Sequence, residues 1–175
     1  MFARINILAI IKDHFGTLRS LNSSKNRISW QDTFLFIIVP IVISFILVYK
    51  DLTFEKQIGN LIAAISIFGG FLFNLLAIIY SQFDKIEIDA NKEDNKLKKR
   101  FVKEIHINIS FCIVLSILIV MTLLLSTIDI PKFDYDWLLN KVIIGVNYFL
   151  MLLFLLTLTM VLNRVYILLK KESEK

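Results

Sequence analysis

The chain has 175 residues, 57% of them hydrophobic and 20% charged, with a formal net charge of +5 and a mean hydropathy of +0.70. An ordinary soluble domain is roughly 45–50% apolar even with glycine counted, so part of this apolar surface must face something other than water. The composition excludes a soluble enzyme of the usual kind, a disordered tail and a secreted disulfide scaffold, and it points to an all-α polytopic membrane protein.

The first element is a helix over residues 2–20. Ile5, Leu8, Ile11, Phe15 and Leu18 follow one another at spacings of 3, 3, 4 and 3, which is one face of a helix. Arg4 intrudes on that face, and no charge stands between Arg4 and Lys12. The segment is therefore expected to be amphipathic and interfacial, lying along the inner leaflet or packed on the protein's own cytosolic helices. Residues 20–26 (SLNSSKN) read as a polar linker. Ser29-Trp30-Gln31-Asp32 matches the capping box S-x-x-D where the first span must begin. Residues 1–32 are thus a cytosolic segment ahead of a transmembrane domain over 33–175.

Four uncharged runs follow, at about 33–49, 59–80, 107–127 and 142–163. A bilayer core about 30 Å thick needs about 20 apolar residues, so the first run is slightly short. None contains Asp, Glu, Lys, Arg or His. Backbone groups in lipid must be satisfied within the segment, so each run should be helical. A soluble four-helix bundle would need polar outer faces, and residues 149–156 are apolar all round. The first run begins at residue 33 and is followed by Tyr49, Lys50 and Asp51, so it reads as a retained span and not a signal peptide. Pro40 within it frees the carbonyl of Phe36 and predicts a modest kink.

In the second span Ala63, Ser66, Gly70 and Ala77 fall on one stripe, and Ser66-x-x-x-Gly70 allows close helix approach. The stripe is expected to be a packing face, either within the bundle or between subunits. Gly69-Gly70 also permits local flexibility. Asn74, Asn147 and Asn163 are polar groups that seek partners in lipid. They read as interhelical hydrogen bonds or as the lining of an oligomeric pore, alongside Ser110, Ser116, Thr122 and Thr157. The lone Cys112 excludes an internal disulfide and CxxC-type metal motifs, and a small buried thiol is its expected role.

Residues 81–106 form a cytosolic hairpin. Asp89, Asn91, Glu93 and Asp94 mark a turn and a helix start. Leu97, Phe101, Ile105 and Asn108 continue at helical spacing into the third span, predicting one helix from about Lys92 to about Thr127, roughly 54 Å long. The second helix is expected to run on to about Glu87, and residues 165–175 to extend the fourth. Lys96, Lys99, Arg100 and Lys103 make a basic stripe on this cap, read as a lipid-headgroup face or a docking surface for a cytosolic protein. Glu93, Asp94 and Glu104 dilute it and no aromatic residues interleave, so direct nucleic-acid binding is not expected. In the third loop Asp129, Asp134 and Asp136 alternate with Phe133, Tyr135 and Trp137, an interfacial belt that Trp30 and Tyr49 repeat at the first span.

The basic residues set the orientation. Residues 1–32 carry five Lys and Arg, the first loop two, the middle loop seven, the third loop two and the tail four. Sixteen therefore lie on one side and four on the other, which places both termini and the middle loop in the cytoplasm. The net positive charge is a topology signal.

Chemistry is sparse. The two histidines, His14 and His106, are far apart in sequence, so no metal or cofactor site is expected. Coupled carriers place ionisable residues in their spans, and the glutamate that small multidrug exporters hold in their first span has no counterpart here. No paired Asp, Ser/His dyad or H-E-x-x-H supports intramembrane proteolysis. The string from Arg100 to His106 resembles the R-x(4–6)-H signature of HEPN-type ribonucleases. Phe101 stands where that signature carries a polar residue, and His106 sits at the membrane edge, a poor place to receive RNA. The chain is expected to be non-enzymatic.

In length, span count and basic cytosolic face, the whole chain resembles the small four-span membrane proteins of bacterial anti-phage defence systems, such as the membrane subunit of Kiwa. The resemblance implies a homo-oligomer that carries a cytosolic partner, and it assigns no residue a role. Usage rich in Ile, Lys, Asn and Phe fits an AT-rich bacterial genome. The expectation is a bacterial inner-membrane platform, sensor or effector that self-associates and docks a cytosolic protein. The alternative is a small homo-oligomeric channel or holin-like pore.

Overall fold

The computed structural model describes residues 6–18, 30–88, 93–127 and 136–173. Arg4, Ile5, the linker at 20–26, Ser29, Asp89, Asn91, Asp129, Phe133, Asp134 and Tyr135 lie outside the described residues. Every element among the described residues is helical.

Helix α1 (Ile7–Thr17) starts where the Asn6 side chain accepts the Ala9 amide at 3.1 Å, satisfying one of the orphan donors of the first turn. Next, α2 (Trp30–Thr33), a π-helical stretch (Phe34–Ile38) and α3 (Val39–Tyr49) follow one another without a break. Pro40 explains the π-helical stretch. Proline has no N–H and its ring crowds the carbonyl four residues back. The helix answers by widening just ahead of it, with the Val39 amide donating to the Phe34 carbonyl five residues back. A π-bulge stands where the sequence predicts a kink. It leaves Phe36, Pro40 and Ser44 buried at intervals of four.

A short turn containing Asp51, whose φ is +51°, leads to α4 (Ile58–Ile88). Helices α5 (Glu93–Leu125) and α6 (Asp136–Ser173) follow. Among the described residues, three stretches are long and apolar enough to cross a membrane: Glu55–Ser81, Lys99–Leu125 and Trp137–Lys170. Phe34–Tyr49 is apolar but shorter. The predicted helix from Lys92 to Thr127 corresponds to α5. Both α4 and α6 also run past their apolar stretches, as the spacing of apolar residues implies.

Packing runs in the order α4–α5–α6–α3, with α1 laid against α5. Helix α5 is the central one: 56% of its apolar window is buried, against 22% for α6 and 11% for α4. Its Ile109, Cys112, Ile119 and Leu123 are sealed among Ile65 and Leu72 of α4 and Leu153, Phe154 and Val161 of α6. On the outward faces, Phe45, Phe71, Phe73 and Leu155 are exposed. A surface this apolar around long uncharged helices is one that lipid can cover.

The inward face of α1 differs from the expected stripe. His14, Thr17 and Leu18 are buried, with Ile10, Ile11 and Phe15 packed beside them, while Leu8 is 78% exposed. The helix is rotated because its polar residues find hydrogen-bond partners on α5. An unpartnered buried polar group would cost more than one exposed leucine.

Candidate functional site

On α5, Arg100, Glu104, Asn108 and Phe111 recur at intervals of 4, 4 and 3, so they line one face. That face meets α1 and the distal part of α6. His14 Nδ1 and Asn108 Oδ1 are 2.8 Å apart, and the Thr17 hydroxyl lies 3.0 Å from the same oxygen and 2.7 Å from the His14 carbonyl. The His14 ring stacks on Phe111 with centroids 3.8 Å apart and planes 11° apart. Phe15 and Phe36 meet it edge-on at 5.3 and 6.0 Å.

Arg164 of α6 closes the cluster. Its guanidinium pairs with the Glu104 carboxylate, and Nη2 donates to the Thr17 carbonyl at 3.0 Å. Thr17 is the last residue of α1, so its carbonyl has no partner within the helix. A cation there also answers the negative end of the helix dipole. Arg100 Nε donates to the other Glu104 oxygen at 3.1 Å from the solvent side. Arg164 is 6% exposed and the Glu104 side chain 12%, so this is a buried ion pair with an exposed second cation.

Burial pushes the His14 imidazole down to about 4; its bond to Asn108 opposes that shift, and the positive Arg164 adds to it. His14 is therefore neutral at neutral pH. With Nδ1–H donating to Asn108, Nε2 is left as a buried nitrogen with no hydrogen-bond partner. The ring has no solvent-exposed surface, so no substrate reaches it. The cluster acts as a polar fastener that joins α1, α5 and α6. No group of three metal-ligating side chains occurs among the described residues.

Of the residues singled out in the sequence, Arg100 joins this cluster through Glu104, and the other described ones lie elsewhere. Ala63, Ser66, Gly70, Asn74 and Ala77 are all exposed along α4. A Cβ built on Gly70 meets nothing within 4 Å. The glycine that packs within the chain is Gly69, whose Cβ would stand 3.0 Å from Ser116 Oγ on α5. Asn147 is buried, accepting from Thr122 of α5 at 2.7 Å and donating to the Ile143 carbonyl within α6 at 3.0 Å. Asn163 is exposed. Lys99, Arg100 and Lys103 are exposed, and the Lys96 side chain lies outside the described residues. Arg100 is engaged with Glu104.

Sequence reasoning misses His14 and Arg164. The signal is present: Arg164 directly follows the fourth uncharged run, and His14 shares a face with Ile10, Ile11, Thr17 and Leu18.

A second feature lies at the other end of the row. Between α3 and α6 runs a groove of about 480 Å³, lined by Ser44, Phe45, Val48, Gly145 and Phe149, with Lys141 among its residues. Lys141 pairs with Asp51 at 2.8 Å and stands 5.9 Å over the Trp137 ring.

No protein-family model, curated protein or solved structure matches the chain.

Proposed function

We propose that the chain is a bacterial inner-membrane protein of four spans, Phe34–Tyr49 being the shortest, with both termini in the cytoplasm. On this reading it is non-enzymatic. It self-associates through α4 and offers its cytosolic helix ends to a soluble partner, as a platform, sensor or effector. The sixteen-to-four sorting of basic residues supports the orientation. The architectural resemblance to four-span proteins of anti-phage defence supports that setting.

The observation that carries self-association is the division of labour on α4. Ile65, Gly69 and Leu72 face α5, while Ala63, Ser66, Gly70, Asn74 and Ala77 face outward with nothing packed on them. Asn74 makes no hydrogen bond among the described residues, and an amide in lipid is stabilised by about 0.5–2 kcal/mol when it finds a partner. An amide both donates and accepts, so two copies related by a two-fold axis satisfy each other. The exposed Lys99 and Lys103 on α5 supply the partner-facing charge.

The alternative is a pore. Asn74 would serve it equally, but Asn147 is committed inside the chain. The mass of the detergent-purified protein, with whatever accompanies it, tests the first reading. A dimer or larger complex that retains a soluble companion and conducts nothing in planar bilayers is expected. A solitary monomer overturns it. A conducting oligomer whose conductance changes in Asn74→Leu favours the pore.

A further inference from the structure

The groove between α3 and α6 is not used by the self-associating face, which lies at the opposite end of the row. Three observations bear on its occupant. Its wall is almost wholly apolar. Ser44, 5% exposed, lines it with a hydroxyl that has no hydrogen-bond partner in the chain. A serine inside a helix usually bonds the carbonyl one turn back, so this free hydroxyl is unspent. Lys141 places an ammonium among the lining residues, beside Trp137 and the end of α3.

Size narrows the choice. The lining stretch of α6 from Leu138 to Phe149 is about 16 Å long at 1.5 Å per residue. The groove holds about 480 Å³. It lies within the range of about 300–1,000 Å³ that small ligands fill. A slender apolar chain with an anionic head suits it.

We propose that this groove is a specific site for an anionic phospholipid of the outer leaflet. One acyl chain lies along Phe45, Val48 and Phe149, an ester carbonyl accepts from the Ser44 hydroxyl, and the phosphate meets Lys141. The placement rests on the proposed topology, in which α3 crosses the membrane with Tyr49 at its outer end. Asp51 is the phosphate's competitor, because it holds the Lys141 ammonium at 2.8 Å when no lipid is bound. Gly145 keeps the floor open: its Cβ would come 3.4 Å from Val48 Cγ2, and a longer side chain would occupy the groove.

The test uses native mass spectrometry of the full chain, stripped of lipid in detergent and offered phosphatidylglycerol or phosphatidylcholine with identical acyl chains. Wild type retains one lipid per chain and prefers phosphatidylglycerol by about five-fold, the effect of one basic residue facing a headgroup of net negative charge, because the choline cation of phosphatidylcholine offsets the phosphate that both lipids carry. Lys141→Gln keeps a bound lipid but brings the ratio towards one. Asp51→Asn raises the ratio, and Asn tolerates the positive φ of that turn. Gly145→Phe loses both lipids. Equal retention of the two lipids by wild type overturns the site. So does a lipid-free oligomer that Gly145→Phe dissociates, which would make the occupant a second copy. Failure to resist carbonate extraction from membranes would instead remove the four-span reading itself, and is scored separately.

Discussion

Arg164 is buried among apolar helices, and its charge is answered from two sides, by the Glu104 carboxylate and by the terminal carbonyl of α1. The partners are not symmetric. Glu104 keeps Arg100 if Arg164 is removed, whereas Arg164, if Glu104 is removed, keeps the Thr17 carbonyl and the field of Asp32 against the repulsion of Arg100. Breaking a buried pair by deleting one member costs about 3–5 kcal/mol. Arg164→Met is therefore expected at the low end of that range and Glu104→Met at the high end. The double variant should regain most of the loss, as followed by thermal unfolding in detergent. A double variant no better than the worse single would show that the two charges are not a pair. His14 carries a prediction of opposite character. Its pKa lies near 4 when folded and near 6.5 when unfolded, so between those values the unfolded chain binds more protons. Stability is full above about pH 6.5 and falls as pH drops towards 4, by at most about 1.4 kcal/mol per pH unit from this residue. Melting curves over that window should be shallower in pH for His14→Gln than for wild type.

At the scale of elements, most of the fold is legible in the sequence. Uncharged runs of about 20 residues mark α4, α5 and α6, and helical spacing through Leu97, Phe101 and Ile105 carries α5 well beyond its apolar stretch. What periodicity does not reveal is which side of a short helix turns inward. For α1 the apolar spacing favours Leu8, but the hydrogen bonds of His14 and Thr17 to Asn108 decide the rotation. Partners 91 and 94 residues away leave no periodic mark. The same holds on α4, where of two adjacent glycines one faces α5 and the next does not, and only the position of Ser116 tells them apart. Pro40 announces a disturbance, but its form depends on backbone bonding that spacing does not encode. Replacing it tests the link between the π-bulge and the cluster. Pro40→Ala lets the wide turn relax to an ordinary one and shifts the preceding segment by about 100° of helical rotation. Phe36 then leaves the His14 ring. Hydrogen exchange of the α1 amides should accelerate, while that of α5 around Ile119 stays unchanged. Unaltered α1 protection would mean that Phe36 is dispensable to the fastening.

For the molecule as a whole, α4 is the helix that separates folding from assembly. Gly69→Leu forces a side chain against Ser116 and should destabilise the fold, lowering helical content and yield. Gly70→Leu meets empty space within the chain and should leave the fold intact. On the self-association reading it reduces the complex to monomers. The pair is scored by circular dichroism and by mass in detergent, and a Gly70→Leu protein that assembles like wild type places the interface elsewhere. The contact between Arg164 and Thr17 has a consequence for biosynthesis. Its two residues are 147 positions apart. At about 5–20 residues per second, the ribosome makes α1 roughly 7–30 s before its cap exists. Throughout that interval α1 lacks the cation for its last carbonyl, and before α5 is complete it also lacks Asn108. Its docking is therefore a late event that can finish only after α6 has been delivered. A nascent chain truncated before α6 would leave α1 open to a chaperone or protease, so the state of α1 reports whether α6 has been made.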